Sequence, residues 1–388
     1  MTLLSNVWKQ RKCLVTGGYG FGGSHLCEQL LNKGARVYVL DRESPKNSYL
    51  ALSGLADRVH YIYGDIRDLE LLEISLERFE IDTIFHLAAQ PVVPICNSRP
   101  YESLSINVMG TYSVLEAMRN SSYTKSLIFA SSGAYYGTTT GLDKITEEHP
   151  PLASASIYVP SKVAADIAVR CYAKTYGLKT AVCRFINTYG PGNTNFSTIV
   201  PRAITLLINN QPYDFGARDD GTSTFDYLNI RDMTRGYLSV AENIDGISGE
   251  AFNFGGGYPI SVKDLVQLIS RLFDGQEREP IFHGAKKTIP VHKCLDTSKA
   301  NKQLGWKPSV SLEEGLKETI NWYQRYWNRL YTLGEDSMNV KLPEESALRY
   351  YEFPMEEKMR TSDAIKPVPP DAAVVGVPAH REVMKLKC

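Results

Sequence analysis

The sequence lacks an excess of either charge, a long apolar run and any close pair of cysteines. Lys+Arg and Asp+Glu are both 43 in a chain of 388 residues. That balance removes the general attraction that draws basic proteins to nucleic acid or to anionic membranes. No apolar stretch approaches the ~20 residues of a membrane span, and Met1 to Arg11 is too polar for a secretory core segment. The seven cysteines, at 13, 27, 96, 171, 183, 294 and 388, include no CxxC, and the seven histidines include no HxH or HExxH. The cysteines read as mostly packed, reduced thiols of a cytoplasmic protein, and no metal site is expected.

What is present is a regular alternation. Short apolar runs at 13–15, 37–40, 59–63, 84–87, 127–130 and 180–184 read as strands. Helical stretches lie between them, one with Leu26, Leu30 and Leu31, one with Asn107, Val108, Leu115 and Met118, and one over 161–176. Apolar strands separated by helices predict an α/β fold, a Rossmann-like parallel sheet covered on both faces. Residues 10–184 form the expected dinucleotide-binding domain, with returning segments near 226–254. Residues 185–333 form a smaller, mainly substrate-binding domain with helices at 200–207, 262–273 and 312–331. Trp322 and Trp327 on the last helix read as packing residues. A C-terminal extension, 334–388, carries Lys366-Pro367-Val368-Pro369-Pro370 and reads as an extended tail.

The first strand runs into Gly17, Gly20 and Gly23, a GxxGxxG between strand and helix. Gly17 permits the tight turn, Gly20 lets backbone approach a pyrophosphate, and Gly23 lets the helix pack close. Asp41 ends the next strand, 24 residues after Gly17, where a carboxylate accepts both ribose hydroxyls of an adenosine. It would repel a 2'-phosphate, so NAD is favoured over NADP; Arg42 beside it reads as a surface residue. Asp65 and Ile66, after the third strand, are placed to border the adenine.

Tyr158 and Lys162 are four residues apart and share a helix face, and Ser132 lies 26 residues before Tyr158. An ammonium near a phenol lowers its pKa. A tyrosinate so formed takes the proton of an alcohol while hydride leaves the same carbon, and Ser132 bonds the reacting oxygen. Lys162 is also placed to hold the nicotinamide ribose.

With these residues in place the chain resembles an extended short-chain dehydrogenase/reductase of the NAD-dependent epimerase/dehydratase family of nucleotide-sugar enzymes. The resemblance spans roughly 10–330. It rests on TGGYGFGGSHL at 16–26, HLAAQP at 86–91, NVMGT at 107–111, SSGAYYG at 131–137, YVPSK at 158–162, RFINTYGPG at 184–192, GEAFNFGGG at 249–257 and LDTSKANKQLGWKP at 295–308. HLAAQPVV and the C-terminal stretch are most similar to the CDP-glucose 4,6-dehydratase branch. The resemblance implies that Phe21, Ala88, Ala89 and Asn107 line or support the cofactor site. It implies that Gln90, Asn187, Arg218 and Phe225 belong to the nucleotide-sugar site, Asn187 near the diphosphate, and that the enzyme is a homodimer.

Two positions depart from that pattern. Dehydratases carry an aspartate and then a glutamate or lysine after the catalytic serine, and here Gly133 and Ala134 offer no side-chain proton donor or acceptor. An acidic residue from elsewhere, such as Glu147 or Glu148, could replace them. Family members also often have arginine before Asp-Tyr, gripping the diphosphate, where this chain has Phe225. A phenyl ring cannot do so. Either cations of other loops, Arg218, Lys286, Lys287, His292 or Lys293, meet the phosphates, or the substrate is not an ordinary nucleoside diphosphate sugar. The reaction expected is epimerisation, most simply at C4 through a 4-keto sugar. Dehydration of the CDP-glucose type comes next, with 4-keto reduction or simple dehydrogenation also open. A non-catalytic nucleotide-binding protein comes last.

Overall fold

Apolar residues at successive positions of a strand face opposite sides of a sheet, so an uninterrupted apolar strand needs cover on both. The first strand shows this directly: Cys13 and Val15 enter one buried cluster, and Leu14 enters another. The computed structural model of the chain describes residues 7–139, 141, 143–217, 219–285 and 291–335. Its strands are β1 (Lys12–Thr16), β2 (Arg36–Asp41), β3 (His60–Tyr63), β4 (Thr83–His86), β5 (Ser126–Ser132) and β6 (Thr180–Phe185). The later ones are β7 (Thr188–Tyr189), β8 (Thr224–Phe225), β9 (Leu228–Asn229), β10 (Ala251–Phe254), β11 (Ile260–Ser261) and β12 (His292–Lys293).

The main sheet has the order β10-β6-β5-β4-β1-β2-β3, and its neighbouring pairs are parallel. It is the Rossmann-like sheet that the strand alternation predicts. Strand order reverses at β1, which lies between β2 and β4, and ligands of such sheets bind beyond the carboxyl ends of the strands at this point. Helices Phe21–Asn32 and Ile230–Glu242 place Leu26, Leu30, Met233 and Tyr237 in the cluster on one face. Helices Leu69–Phe79, Gly110–Asn120 and Tyr158–Tyr176 place Leu72, Val114 and Ala165 in the cluster on the other. β10 returns to the sheet beside β6, Ala251 opposite Val182.

A second, C-terminal α/β region holds helices Ile199–Ile208, Val262–Asp274 and Leu312–Glu335 with the three-stranded sheet β11-β8-β12. Val200, Ile204, Leu265, Ile269, Leu316 and Tyr323 form its core, and Trp322 and Trp327 both pack there, as expected. No helix among the described residues is long and apolar enough to cross a membrane. Residues 336–388 of the C-terminal extension lie outside the described residues. So do Arg218, Lys286 and Lys287.

Candidate active site

The helix expected over 161–176 begins three residues earlier, at Tyr158. Pro160 sits in its first turn, where a missing N–H costs no hydrogen bond. The earlier start puts Tyr158 and Lys162 on the same helix face, one turn apart. Ser132, the last residue of β5, stands at the carboxyl end of the sheet, close enough to the Tyr158 phenol to lower its pKa. Its Oγ also accepts from the Ala134 N–H at 3.0 Å, which fixes the turn that follows.

Burial pushes the Tyr158 phenol up to about 12, and Ser132 beside it opposes that shift. The Lys162 ammonium is turned to the Ala130 carbonyl at 2.9 Å and lies 5.0 Å from the centre of the Phe129 ring. Desolvation holds this amine down at about 8, with Asp166 acting in the opposite direction. Cys96 is close enough to influence both groups; sequence reading noted it only as one packed thiol among seven.

The glycine turn is shaped as its spacing predicts. Gly17 has φ +71°, and a Cβ there would sit 2.8 Å from Ala88 Cα. A Cβ on Gly23 would meet the Gly17 carbonyl oxygen at 2.1 Å. Gly20 is the residue before the helix, and Phe21, its first residue, packs edge-on to His25. Asp41 ties this turn to β2: its Oδ2 accepts from the Tyr19 N–H at 3.1 Å and its Oδ1 from the Arg42 N–H at 2.9 Å. Burial raises the Asp41 carboxyl, and these backbone donors pull it back. Arg42 pairs with Asp65 at 3.6 Å, and Asp65 also pairs with Arg67. Ile66 is buried and packs on Gly110. A tight turn open for backbone approach, with a carboxylate at the end of β2, fits the pyrophosphate and ribose of a dinucleotide.

The third wall is the loop after β4. The Ala88 N–H donates to Thr16 Oγ1 at 3.2 Å, and Ala89 follows it, half-buried. Asn107 clamps the loop: its Oδ1 accepts from the Gln90 N–H at 2.7 Å, and its Nδ2 donates to the Gln90 carbonyl and to Ser161 Oγ. Ser161 belongs to the Tyr158 helix, so Asn107 joins the loop after β4 to that helix. Gln90 itself is buried and accepts from the Val92 N–H.

Asn187 has φ +29° and donates through Nδ2 to the Asp226 carbonyl at 3.1 Å. Phe225, on β8, packs against the C-terminal core. A Cβ at Gly133 would lie 3.3 Å from the Phe185 carbonyl oxygen and 3.4 Å from Leu295 Cδ1, so the place of the dehydratase aspartate is closely packed. Of the two glutamates weighed as substitutes, Glu147 is engaged elsewhere. Glu147 accepts through Oε1 from the Asn253 N–H at 2.8 Å, an anchor for β10, and Glu148 is exposed. Among the described residues no three His, Cys, Asp or Glu side chains gather to hold a metal.

The family model for GDP-mannose 4,6 dehydratase matches residues 14–319. The chain belongs to this family. It is an enzyme of the NAD-dependent nucleotide-sugar epimerase/dehydratase superfamily, whose chemistry passes through a 4-keto sugar. A UDP-glucose 4-epimerase of Mycolicibacterium smegmatis is 32% identical over 319 residues, 81% of this chain and 98% of the relative. A human dTDP-D-glucose 4,6-dehydratase is 30% identical over 326 residues, 81% of this chain and 90% of the relative. Among solved structures, the dTDP-glucose 4,6-dehydratase DesIV of Streptomyces venezuelae, with NAD bound, is 28% identical with a TM-score of 0.74, covering 83% of this chain and 99% of that one. Family relatives thus include both epimerases and dehydratases at similar identity, and the choice of reaction falls to the residues.

Proposed function

We propose that this protein is an NAD-dependent nucleotide-sugar 4-epimerase acting through a transient 4-keto sugar. The observation that carries the reading is Ser132 placed beside the Tyr158 phenol, with the following turn closely packed at Gly133. That arrangement supports proton movement at one oxygen and offers no side chain for eliminating water.

The Gly17–Gly23 turn and Asp41 would hold NAD, the pyrophosphate at the helix N-terminus and the adenosine ribose at the carboxylate. Asp65 and Ile66 border the adenine pocket, and Phe21, Ala88, Ala89 and Asn107 support the site. NAD, when bound, would supply the hydride acceptor and donor for the sugar carbon. Tyr158, which must be the tyrosinate for this step, would take the hydroxyl proton and give it back, Ser132 would hold the same oxygen, and Lys162 the nicotinamide ribose. Asn187 and Gln90 are assigned to the sugar nucleotide. Because hydride comes back in every cycle, the enzyme needs no net oxidant.

The experiment is product analysis. The protein is incubated with UDP-, CDP-, GDP- and dTDP-sugars, the CDP set being included for the branch resemblance, and products are read by NMR and mass. The expected product has unchanged mass and inverted C4. Loss of water from the sugar, or net accumulation of NADH, overturns the assignment.

The homodimer is part of the same reading. Tyr101 (87% exposed), Met109 (58%), Tyr112 (37%) and Ile167 (44%) lie along the neighbouring helical segments 100–120 and 158–176. Apolar side chains grouped this way fit a helix-on-helix contact with a second copy. Light scattering should return twice the chain mass of 43.4 kDa; a monomer at micromolar concentration removes the dimer.

A further inference from the structure

The C-terminal region brings a lysine into register with the residue whose chemistry is unexpected. β8 and β12 run parallel, and Lys293 is the direct partner of Phe225. Paired residues on adjacent strands put their side chains on the same face, and the next pair faces the other way. The next residues obey this: Cys294 Sγ lies 3.9 Å from Asp226 Oδ2 on the opposite face. The Asp226 carboxylate therefore does not serve Lys293; it accepts from the Gly257 N–H instead.

Lys293 reaches toward the reacting end of the site. Its Nζ donates to the Gly137 carbonyl at 2.5 Å. Gly137 closes the turn that begins at Ser132, its N–H donating to the Ala134 carbonyl. Leu295, two residues further along, packs under Gly133, so the segment from Lys293 to Leu295 runs beside that turn. At about 2 Å of rise per residue, Gly137 lies roughly 10 Å from Ser132. Desolvation lowers the Lys293 amine to about 8, and no charged partner among the described residues offsets it. A shielded ammonium with one neutral acceptor has two N–H groups left, and an anionic oxygen is the partner that suits them.

We propose that Lys293 is a substrate-recognition residue that binds an anionic oxygen of the nucleotide sugar. The oxygen belongs to the diphosphate or to the carboxylate of an acidic sugar. This rests on the nucleotide-sugar reading above. It places a point charge one strand away from Phe225, on the same face.

The test uses the full-length protein with NAD and calorimetric titration of UDP, CDP, GDP and dTDP, then of UDP-glucose and UDP-glucuronate. Wild type is compared with Lys293→Met, Lys293→Gln and Lys293→Arg, and bound NAD and melting temperature report the fold of each. Lys293→Met or Lys293→Gln is expected to weaken binding tenfold or more with NAD content unchanged, and Lys293→Arg to retain binding within a few-fold. A loss already present with the nucleoside diphosphate alone assigns the phosphate. A loss confined to UDP-glucuronate assigns the sugar carboxylate. Equal affinities in wild type and a folded neutral variant across the panel overturn the role of Lys293. A wild type that binds none of these probes overturns the nucleotide-sugar reading itself.

Discussion

Arg184 and Asp166 form a bidentate ion pair with no solvent exposure on either side chain. The pair does more than join β6 to the Tyr158 helix. Asp166 Oδ2 also accepts from Ser131 Oγ at 2.7 Å, and Arg184 donates to the Tyr136 hydroxyl at 2.8 Å. The guanidinium lies 3.6 Å from the Tyr135 ring centre. The turn carrying Gly133 and Ala134 is thus bracketed by one buried charge network, Ser131 on its near side and Tyr135-Tyr136 on its far side.

Breaking the pair from one side leaves a buried charge with no partner, a cost of about 3–5 kcal/mol. Asp166→Ala should therefore lower the melting temperature substantially and reduce turnover by displacing Ser132. Arg184→Met in the same chain removes the stranded guanidinium and should recover part of the stability. Calorimetric melts of the two single variants and the double variant check this; additive losses would show that the two groups act independently.

Tyr158→Phe keeps the ring and removes the proton acceptor. Proton transfer by a positioned side chain contributes about 10²–10⁴-fold, so turnover should fall by that much. The phenol lies beside Ser132 and the glycine turn is separate from it, so bound NAD should be unchanged. Cofactor released on denaturation and initial rates on the active sugar nucleotide measure the two effects. Near-normal turnover would take Tyr158 out of the role of base.

Gly23→Ala tests the cofactor turn. The new methyl would lie 2.1 Å from the Gly17 carbonyl oxygen and 2.7 Å from Gly18 Cα, and both obstacles are backbone. The helix must move away from the turn, at about 1–3 kcal/mol for overpacking, and the backbone presented to the pyrophosphate moves with it. Purified Gly23→Ala should carry little NAD and melt at a lower temperature. Full NAD occupancy would show that the turn tolerates the shift.

These predictions separate what short range and long range contribute. Parallel strands were legible because apolar runs alternate with helices at fixed intervals, and Gly17, Gly23 and Asp41 were legible because their chemistry depends on local spacing. The helix expected over 161–176 begins at Tyr158 instead, because a first-turn proline such as Pro160 is compatible with a helix. Contacts between distant segments left no local pattern. Asn107 meets Ser161 across 54 residues, Arg184 meets Tyr136 across 48, and Lys293 reaches Gly137 across 156. Their meeting depends on sheet order, which no single segment encodes. The pairing of Phe225 with Lys293 is of this kind: the unusual phenylalanine is visible in the sequence, but its neighbour emerges only when β8 and β12 lie side by side.

Acid sensitivity follows from two buried histidines. His86 is bonded at Nδ1 to Thr16 Oγ1 and at Nε2 to Thr111 Oγ1, and burial lowers its pKa to about 3. His25, stacked on Tyr49 at 3.7 Å with Nε2 on the Pro191 carbonyl, is lowered by burial to about 4. In the unfolded chain both would titrate near 6.5. Below that pH the unfolded state binds protons that the folded state refuses, so stability falls as pH decreases. The stabilisation is complete above pH 6.5 and declines toward the folded-state values. At pH 5 the loss is about 2 kcal/mol for each histidine. Urea melts at pH 7 and pH 5 should show this decline, and His86→Gln should flatten the pH dependence by about half even if it lowers stability at pH 7. An unchanged slope in His86→Gln would place the acid sensitivity on other groups.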